Sequence, residues 1–185
     1  IKPGMKVLDV CAAPGGKTLI AAELTGDSGN VISRDRDEKK AELIRNNVNK
    51  AGYDNVDVQV RDATITGEDD KGKYDVVICD LPCSGLGVIG RKSDMRYRVR
   101  PDDLKELQKL QRQIIDASVE YTKPGGILVY STCTINKGEN QDNRDYIIHK
   151  YPYYRLGYDK QILPFEYESD GFYISLFQRE DQSEN

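Results

Sequence analysis

Met5-Lys6-Val7-Leu8-Asp9-Val10-Cys11-Ala12-Ala13-Pro14-Gly15-Gly16-Lys17-Thr18 is the stretch on which the fold turns. Residues 5–11 form a short, largely apolar run of the kind that buries as a strand. The small residues behind it lead straight into a helix that opens at Gly15-Gly16 and runs through Leu24. Thr25-Gly26-Asp27-Ser28-Gly29-Asn30 is a turn cluster, and residues 31–34 read as a second strand. A strand, a tight small-residue turn, a helix and another strand form the repeating unit of α/β folds.

Working outward, the alternation continues. Residues 37–51 carry Ala41, Ile44 and Val48 at helical spacing and stop at Gly52, a C-terminal glycine. Residues 56–60 read as the third strand and residues 74–80 as the fourth and most apolar. In the loop at residues 82–90, four of nine residues are Pro or Gly, a composition that often carries function. Pro101-Asp102-Asp103 opens a long helix with an apolar stripe of Leu104, Leu107, Leu110, Ile114, Ile115 and Val119, and Lys123-Pro124-Gly125-Gly126 reads as its stop. Residues 127–131 are the fifth strand, residues 138–150 a further helix, and residues 154–158 and 172–178 the last two strands. The pattern predicts a single α/β domain over residues 1–185, with a mostly parallel seven-stranded sheet and helices on both faces. Ligands in such sheets bind beyond the carboxyl ends of the strands, which directs attention to residues 11–17, Asp35, Asp62, residues 80–83 and Thr132-Cys133.

The loop Cys11-Ala12-Ala13-Pro14-Gly15-Gly16-Lys17 lets backbone approach a ligand closely and suits a nucleotide-like cofactor. It is neither a triphosphate-binding P-loop, which needs glycine where Cys11 stands, nor a G-x-G-x-x-G fingerprint, which Ala13 and Pro14 interrupt. Asp35, 19 residues beyond Gly16, is placed to accept from both ribose hydroxyls of an adenosine; Asp37 competes for that role or caps a helix. Asp62 is a candidate acceptor for an adenine amino group or an ordinary turn aspartate.

Composition narrows the function classes. The apolar stretches are far too short for a membrane span, and Ile1-Lys2-Pro3-Gly4 has neither an initiator Met nor a secretory signal, so a soluble fragment is expected. Four dispersed cysteines, Cys11, Cys79, Cys83 and Cys133, argue against a disulfide-stapled secreted fold and for a reducing cytoplasm. No C-x-x-C pair is present and His149 is the only histidine, so no metal is expected. The net charge of −4 hides a basic segment, residues 88–100, in which Arg91, Lys92, Arg96, Arg98 and Arg100 face one acid, Asp94. Such a run is a solvated surface or a phosphate-contacting loop, with Tyr97 available for stacking.

Asp9-Val-Cys-Ala-Ala-Pro-Gly-Gly-Lys-Thr18 resembles the cofactor motif of the RNA 5-methylcytosine methyltransferases of the Sun family. Further likeness lies in Asp80-Leu-Pro-Cys-Ser-Gly85, in Lys123-Pro-Gly-Gly-Ile-Leu-Val-Tyr-Ser-Thr-Cys-Thr134, in Glu139-Asn140 and in Asp170-Gly-Phe-Tyr173, so it runs nearly end to end. Leu81 stands where that family usually has alanine, and Arg91-Lys92-Ser93-Asp94 varies its basic loop. The resemblance implies a Rossmann-like, class I methyltransferase that binds S-adenosylmethionine through Cys11, Ala12, Ala13, Pro14, Gly15, Gly16, Lys17, Asp35, Asp62 and Asp80. It also implies Cys133 as the nucleophile, Cys83 as the residue that promotes product release and Asp80 as a contact to the cytosine. Paired Pro-Cys and Thr-Cys motifs distinguish this family from DNA cytosine methyltransferases, whose nucleophile sits in Pro-Cys alone. Cys79, within a strand, reads instead as a small buried core residue. The implied partner is RNA, with 16S ribosomal RNA ahead of transfer RNA, the implied state a monomer, and an N-terminal RNA-binding region is expected outside this sequence. A catalytically silent RNA-binding or assembly module is the reading from a different class, and intact Asp80, Cys83 and Cys133 count against it.

Overall fold

The computed structural model describes residues 1–90 and 100–181. The basic segment's Arg91, Lys92, Asp94, Arg96, Tyr97 and Arg98 fall outside the described residues. Among the described residues seven strands form one sheet: β1 (Lys6–Asp9), β2 (Asn30–Asp35), β3 (Val56–Val60), β4 (Tyr74–Asp80), β5 (Thr122–Thr132), β6 (Tyr154–Ile162) and β7 (Phe172–Arg179). Their spatial order is β3-β2-β1-β4-β5-β7-β6, with β7 antiparallel to both β5 and β6 and the other pairs parallel. The sheet is therefore mostly parallel, as the alternation predicts, and the direction of chain winding reverses between β1 and β4. That crevice is where ligands bind in open α/β sheets.

Side-chain alternation along the strands builds two cores. Val7, Val31, Val76 and Ile78 pack with Ala21 and Ala22 of α1 (Gly16–Thr25), while Ile44 and Val48 of α2 (Glu38–Ala51) extend the same layer. Leu8, Val10, Val77, Cys79, Leu128 and Tyr130 point the other way, against Ile114 and Ile115 of α3 (Pro101–Ser118) and Ile147 of α4 (Gln141–Lys150). Period-2 alternation thus covers the central strands with helices on both faces. Cys79 is 1% exposed and belongs to this core. A short helix, α5 (Pro164–Tyr167), joins β6 to β7. No helix among the described residues is long and apolar enough to cross a membrane.

The local signals act where chemistry requires them. Asp37 accepts from the Lys40 amide at 3.0 Å and caps α2, while Gly52 closes that helix with φ +74°. Asp103 accepts from the Arg100 amide at 2.9 Å ahead of Pro101 at the start of α3. The Lys123-Pro124-Gly125-Gly126 run departs from expectation. Helix α3 ends at Ser118, and the run lies inside β5 as a bulge: Thr122 pairs with Tyr74, but the next partner, opposite Val76, is Ile127. Proline cannot donate to the ladder and Gly125 takes φ +76°, so four residues loop out while the strand resumes its register. Lys123 pairs with Asp75 across the bulge. The expected helix over residues 138–150 divides into a 3-10 turn (Lys137–Glu139) and α4, because Asn140 leaves helical geometry at φ −110°, ψ −91°. Strand β6 extends to Ile162, beyond residue 158.

At Gly126 a β-carbon would sit 2.9 Å from the carbonyl oxygens of Asp75 and Lys123. Gly126→Ala is expected to lower the unfolding free energy by about 1–3 kcal/mol, read from urea denaturation. An unchanged midpoint would show that the bulge tolerates a side chain.

Candidate active site

The loop after β1 is shaped by backbone hydrogen bonds: the Ala12 amide donates to the Arg34 carbonyl at 2.8 Å and the Gly15 amide to the Ala12 carbonyl at 2.7 Å. Gly15 takes φ +106°, which an L side chain rarely adopts, and faces Ile44 of α2. Ala12, at 6% exposure, packs with Ile44 and Val48 as well. At Gly16 a β-carbon would meet no atom within 4 Å, so this glycine opens space beside the loop. That space is a cavity of about 130 Å³ bounded by Asp9, Cys11, Ala12, Ala13, Pro14, Gly16, Lys17 and Asp80.

Asp9, within the opening motif, was not among the residues singled out from sequence. It is 1% exposed, accepts from the Thr18 hydroxyl at 3.0 Å through Oδ2, and leaves Oδ1 buried with no protein partner. Burial pushes its carboxyl up to about 7, against the Thr18 hydrogen bond and nearby Lys17, which favour the ionised form. The signal that marks it is an acid inside an apolar strand.

A larger cavity, about 360 Å³, adjoins this one. It lies at the low end of the roughly 300–1,000 Å³ typical of small-molecule sites. One end is lined by Asp35, Arg36, Lys40, Asp62 and Thr64 after β2 and β3, the other by Asp80, Pro82, Cys83 and Cys133 after β4 and β5. Cys11 and Ala13 line its course, and Leu110 and Ile114, read from sequence only as core, form a wall. Leu81, 4% exposed, lines it too. Asp35 is 7% exposed and accepts from the Asp37 amide at 3.3 Å, with Lys40 Nζ 3.9 Å from the same oxygen. Asp37, the competing candidate, is occupied as the α2 cap. Asp62 is exposed and accepts from the Thr64 hydroxyl at 2.7 Å and amide at 2.9 Å, which hold its carboxyl below the usual carboxylate range. It is therefore a turn aspartate and a cavity wall at once.

At the other end, Asp80 stands opposite Ser131 in the β4–β5 register and accepts from its hydroxyl at 2.8 Å. Its second oxygen takes Lys17 Nζ at 2.5 Å, with both side chains about a third exposed. Lys17, grouped by sequence with the cofactor loop, thus reaches toward the cysteine end, 5.3 Å from the Phe172 ring centroid. Cys83 follows Asp80 by three residues and Cys133 follows Ser131 by two, and their sulfurs are 3.2 Å apart. The Cys83 hydrogen bond holds the Cys133 thiol below the ordinary thiol range, outweighing burial and nearby Asp80, while the same contact and burial push Cys83 up. The contact between the sulfurs thus favours ionisation of Cys133 over Cys83. Cys11 is pushed up by burial and stays a thiol.

A family model described as 16S rRNA methyltransferase RsmB/F matches residues 1–178. Ribosomal RNA small subunit methyltransferase B of Vibrio cholerae is 38% identical over 184 residues, covering 96% of this chain and 42% of that protein. The human tRNA (cytosine(72)-C(5))-methyltransferase NSUN6 is 36% identical over 167 residues, covering 84% of this chain and 35% of that protein. The crystal structure of NSun6 from Pyrococcus horikoshii with SFG superposes with a TM-score of 0.84 at 25% identity, over 96% of this chain and 48% of that one. The chain spans about two-fifths of the length of the curated ribosomal RNA relatives it matches.

Cys83→Ala removes the thiol in hydrogen-bond contact with Cys133. The pH midpoint for alkylation of Cys133 by iodoacetamide, followed peptide by peptide in a mass spectrometer, is expected to rise toward the ordinary thiol range near roughly 8.5. A midpoint that stays put would separate the two sulfurs electrostatically.

Proposed function

The chain belongs to the 16S rRNA methyltransferase RsmB/F family, and from that premise we propose that it is the catalytic domain of an RNA cytosine-5 methyltransferase. The methyl donor is S-adenosylmethionine, the substrate 16S ribosomal RNA, and the setting a cytoplasm that keeps the thiols reduced. One observation carries the reading: the Cys83 and Cys133 thiols meet at one end of a cavity whose other end holds Asp35 and Asp62. The residues present fit the donor. Asp35 would accept from ribose hydroxyls and Asp62 from the adenine amino group, Gly16 leaves the loop open, and the unfilled oxygen of buried Asp9 suits an ammonium group.

Cytosine carbon 5 is a weak nucleophile, so covalent catalysis divides the reaction. The Cys133 thiolate adds to carbon 6, and the displaced electron pair moves through the ring toward nitrogen 3, making carbon 5 enamine-like. Asp80, held by Lys17 and Ser131, faces that polar edge and stabilises the charge or shares a proton there. S-adenosylmethionine, when bound, supplies the electrophilic methyl group that carbon 5 takes up. Cys83, its own proton given up to water, then takes the carbon 5 proton; that carbon–hydrogen pair re-forms the ring double bond as the carbon 6–sulfur bond breaks, its electrons returning to Cys133. A target in a duplex must first be unpaired or flipped out. The basic segment around Arg96, with Tyr97, supplies phosphate and stacking contacts. The same chemistry on transfer RNA is the second reading, favoured by the likeness to human NSUN6.

Cys133→Ala is expected to abolish methyl transfer to unmodified 16S RNA, whereas Cys83→Ala accumulates a covalent protein–RNA adduct visible on denaturing gels. An adduct formed by Cys133→Ala overturns the assignment. Asp35→Ala is expected to weaken S-adenosylmethionine binding at least tenfold, about 1.4 kcal/mol, in calorimetry. Undiminished affinity removes Asp35 from the ribose.

A further inference from the structure

Glu139 and Asn140 lie outside the catalytic steps above, yet both are fully buried. A buried carboxylate is costly unless its oxygens are filled by donors. Glu139 Oε2 accepts from the Ser84 amide at 2.8 Å and Gln111 Nε2 at 3.0 Å; Oε1 accepts from the Ser84 hydroxyl at 2.5 Å and Asn136 Nδ2 at 3.0 Å. Ser84 is the residue after Cys83. Its hydroxyl also meets Thr134 Oγ1 at 2.8 Å, and Thr134 is the residue after Cys133. Gln111 in turn donates to the Pro82 carbonyl at 2.8 Å, immediately before Cys83. On the other side, Asn140 accepts from Thr132 at 2.6 Å and donates to the Thr134 carbonyl at 2.9 Å, bracketing Cys133. Each cysteine is therefore clamped through the residues on either side of it, and the two clamps meet at consecutive buried positions.

We propose that Glu139 is a positioning residue for the cysteine pair: its carboxylate docks the Pro82-Cys83-Ser84 loop against Thr134 and so sets the distance and alignment of Cys83 to Cys133. The inference rests on the roles proposed for the two thiols in methyl transfer, but its test does not. A carboxylate accepts from all four donors. A glutamine would turn an NH₂ group toward two of them, and Asn136 cannot rotate to compensate without breaking its Oδ1 bond to the Gly138 amide at 3.0 Å. The groups facing Cys133 are Cys83, Asp80 and Lys17, none of which Glu139→Gln alters.

The test is the pH profile of Cys133 alkylation, measured on this chain under reducing conditions alongside thermal melting and S-adenosylmethionine calorimetry. Glu139→Gln is expected to move the Cys133 midpoint upward by about one pH unit and slow alkylation at pH 7 roughly fivefold. S-adenosylmethionine affinity should stay within about twofold, since Glu139 lines neither cavity. Ser84→Ala, which keeps the amide bond to Glu139 and loses only the hydroxyl, is expected to shift the midpoint the same way by less. A purely structural Glu139 lowers the melting temperature and leaves the profile superimposable on wild type, and that result overturns the proposal. Should Glu139→Gln fail to fold, an unchanged profile in Ser84→Ala overturns it equally. If the wild-type protein transfers no methyl group to 16S ribosomal RNA while the Glu139→Gln shift appears, the methyltransferase reading falls and the positioning role stands.

Discussion

The parallel pairing of β4 with β5, with Asp80 opposite Ser131, is the constraint from which the site follows. Parallel strands end on the same edge, so the loops that leave them emerge side by side. Cys83 and Cys133 are 50 residues apart in sequence and 3.2 Å apart in space because both loops depart from that one register. A slip of one residue would turn every side chain on β5 to the other face. The bulge at Lys123-Pro124-Gly125-Gly126 absorbs four residues between Tyr74 and Val76, letting the buried part of the strand keep the pairing that the cysteines need.

The same edge joins two kinds of chemistry. Burial and tight turns dominate after β1 and β2, where Asp9 is driven toward its neutral form and Asp35 is buried behind the capped end of α2. Charge pairing dominates after β4, where Asp80 is held between Lys17 and Ser131. Lys17 links them: it leaves from the glycine turn of the first half and ends on the acid of the second. Donor and base would thus be held from opposite sides of the switch between β1 and β4, which brings a methyl group to a ring without a long reach.

Much of this was legible in the residues. Seven strands and their order along the chain follow from period-2 alternation and glycine or proline punctuation, because each strand of a two-layered core must bury alternate side chains. The opening loop and the Pro-Cys and Thr-Cys pair identify the family, since their side chains meet demands that few other residues can satisfy. Sequence reading stopped short where a signal has two meanings. Lys123-Pro124-Gly125-Gly126 has the composition of a helix stop and of a β-bulge, and only its partner strand decides between them. Asp37 and Asp35 are two acids at one strand end, and the helix that one of them caps frees the other.

By itself, then, the sequence determined the strands of the sheet, the small-residue loop after β1 and the positions of the two thiols at strand ends, all of which depend on local pattern or residue type. Tertiary structure alone decided which groups face one another. It turned Lys17 toward Asp80, left an oxygen of Asp9 unfilled, and gathered Ser84, Gln111, Asn136 and Thr134 around or beside the carboxylate of Glu139. No local pattern encodes such contacts, because they join segments up to 63 residues apart and exist only when the strands that carry them lie in register.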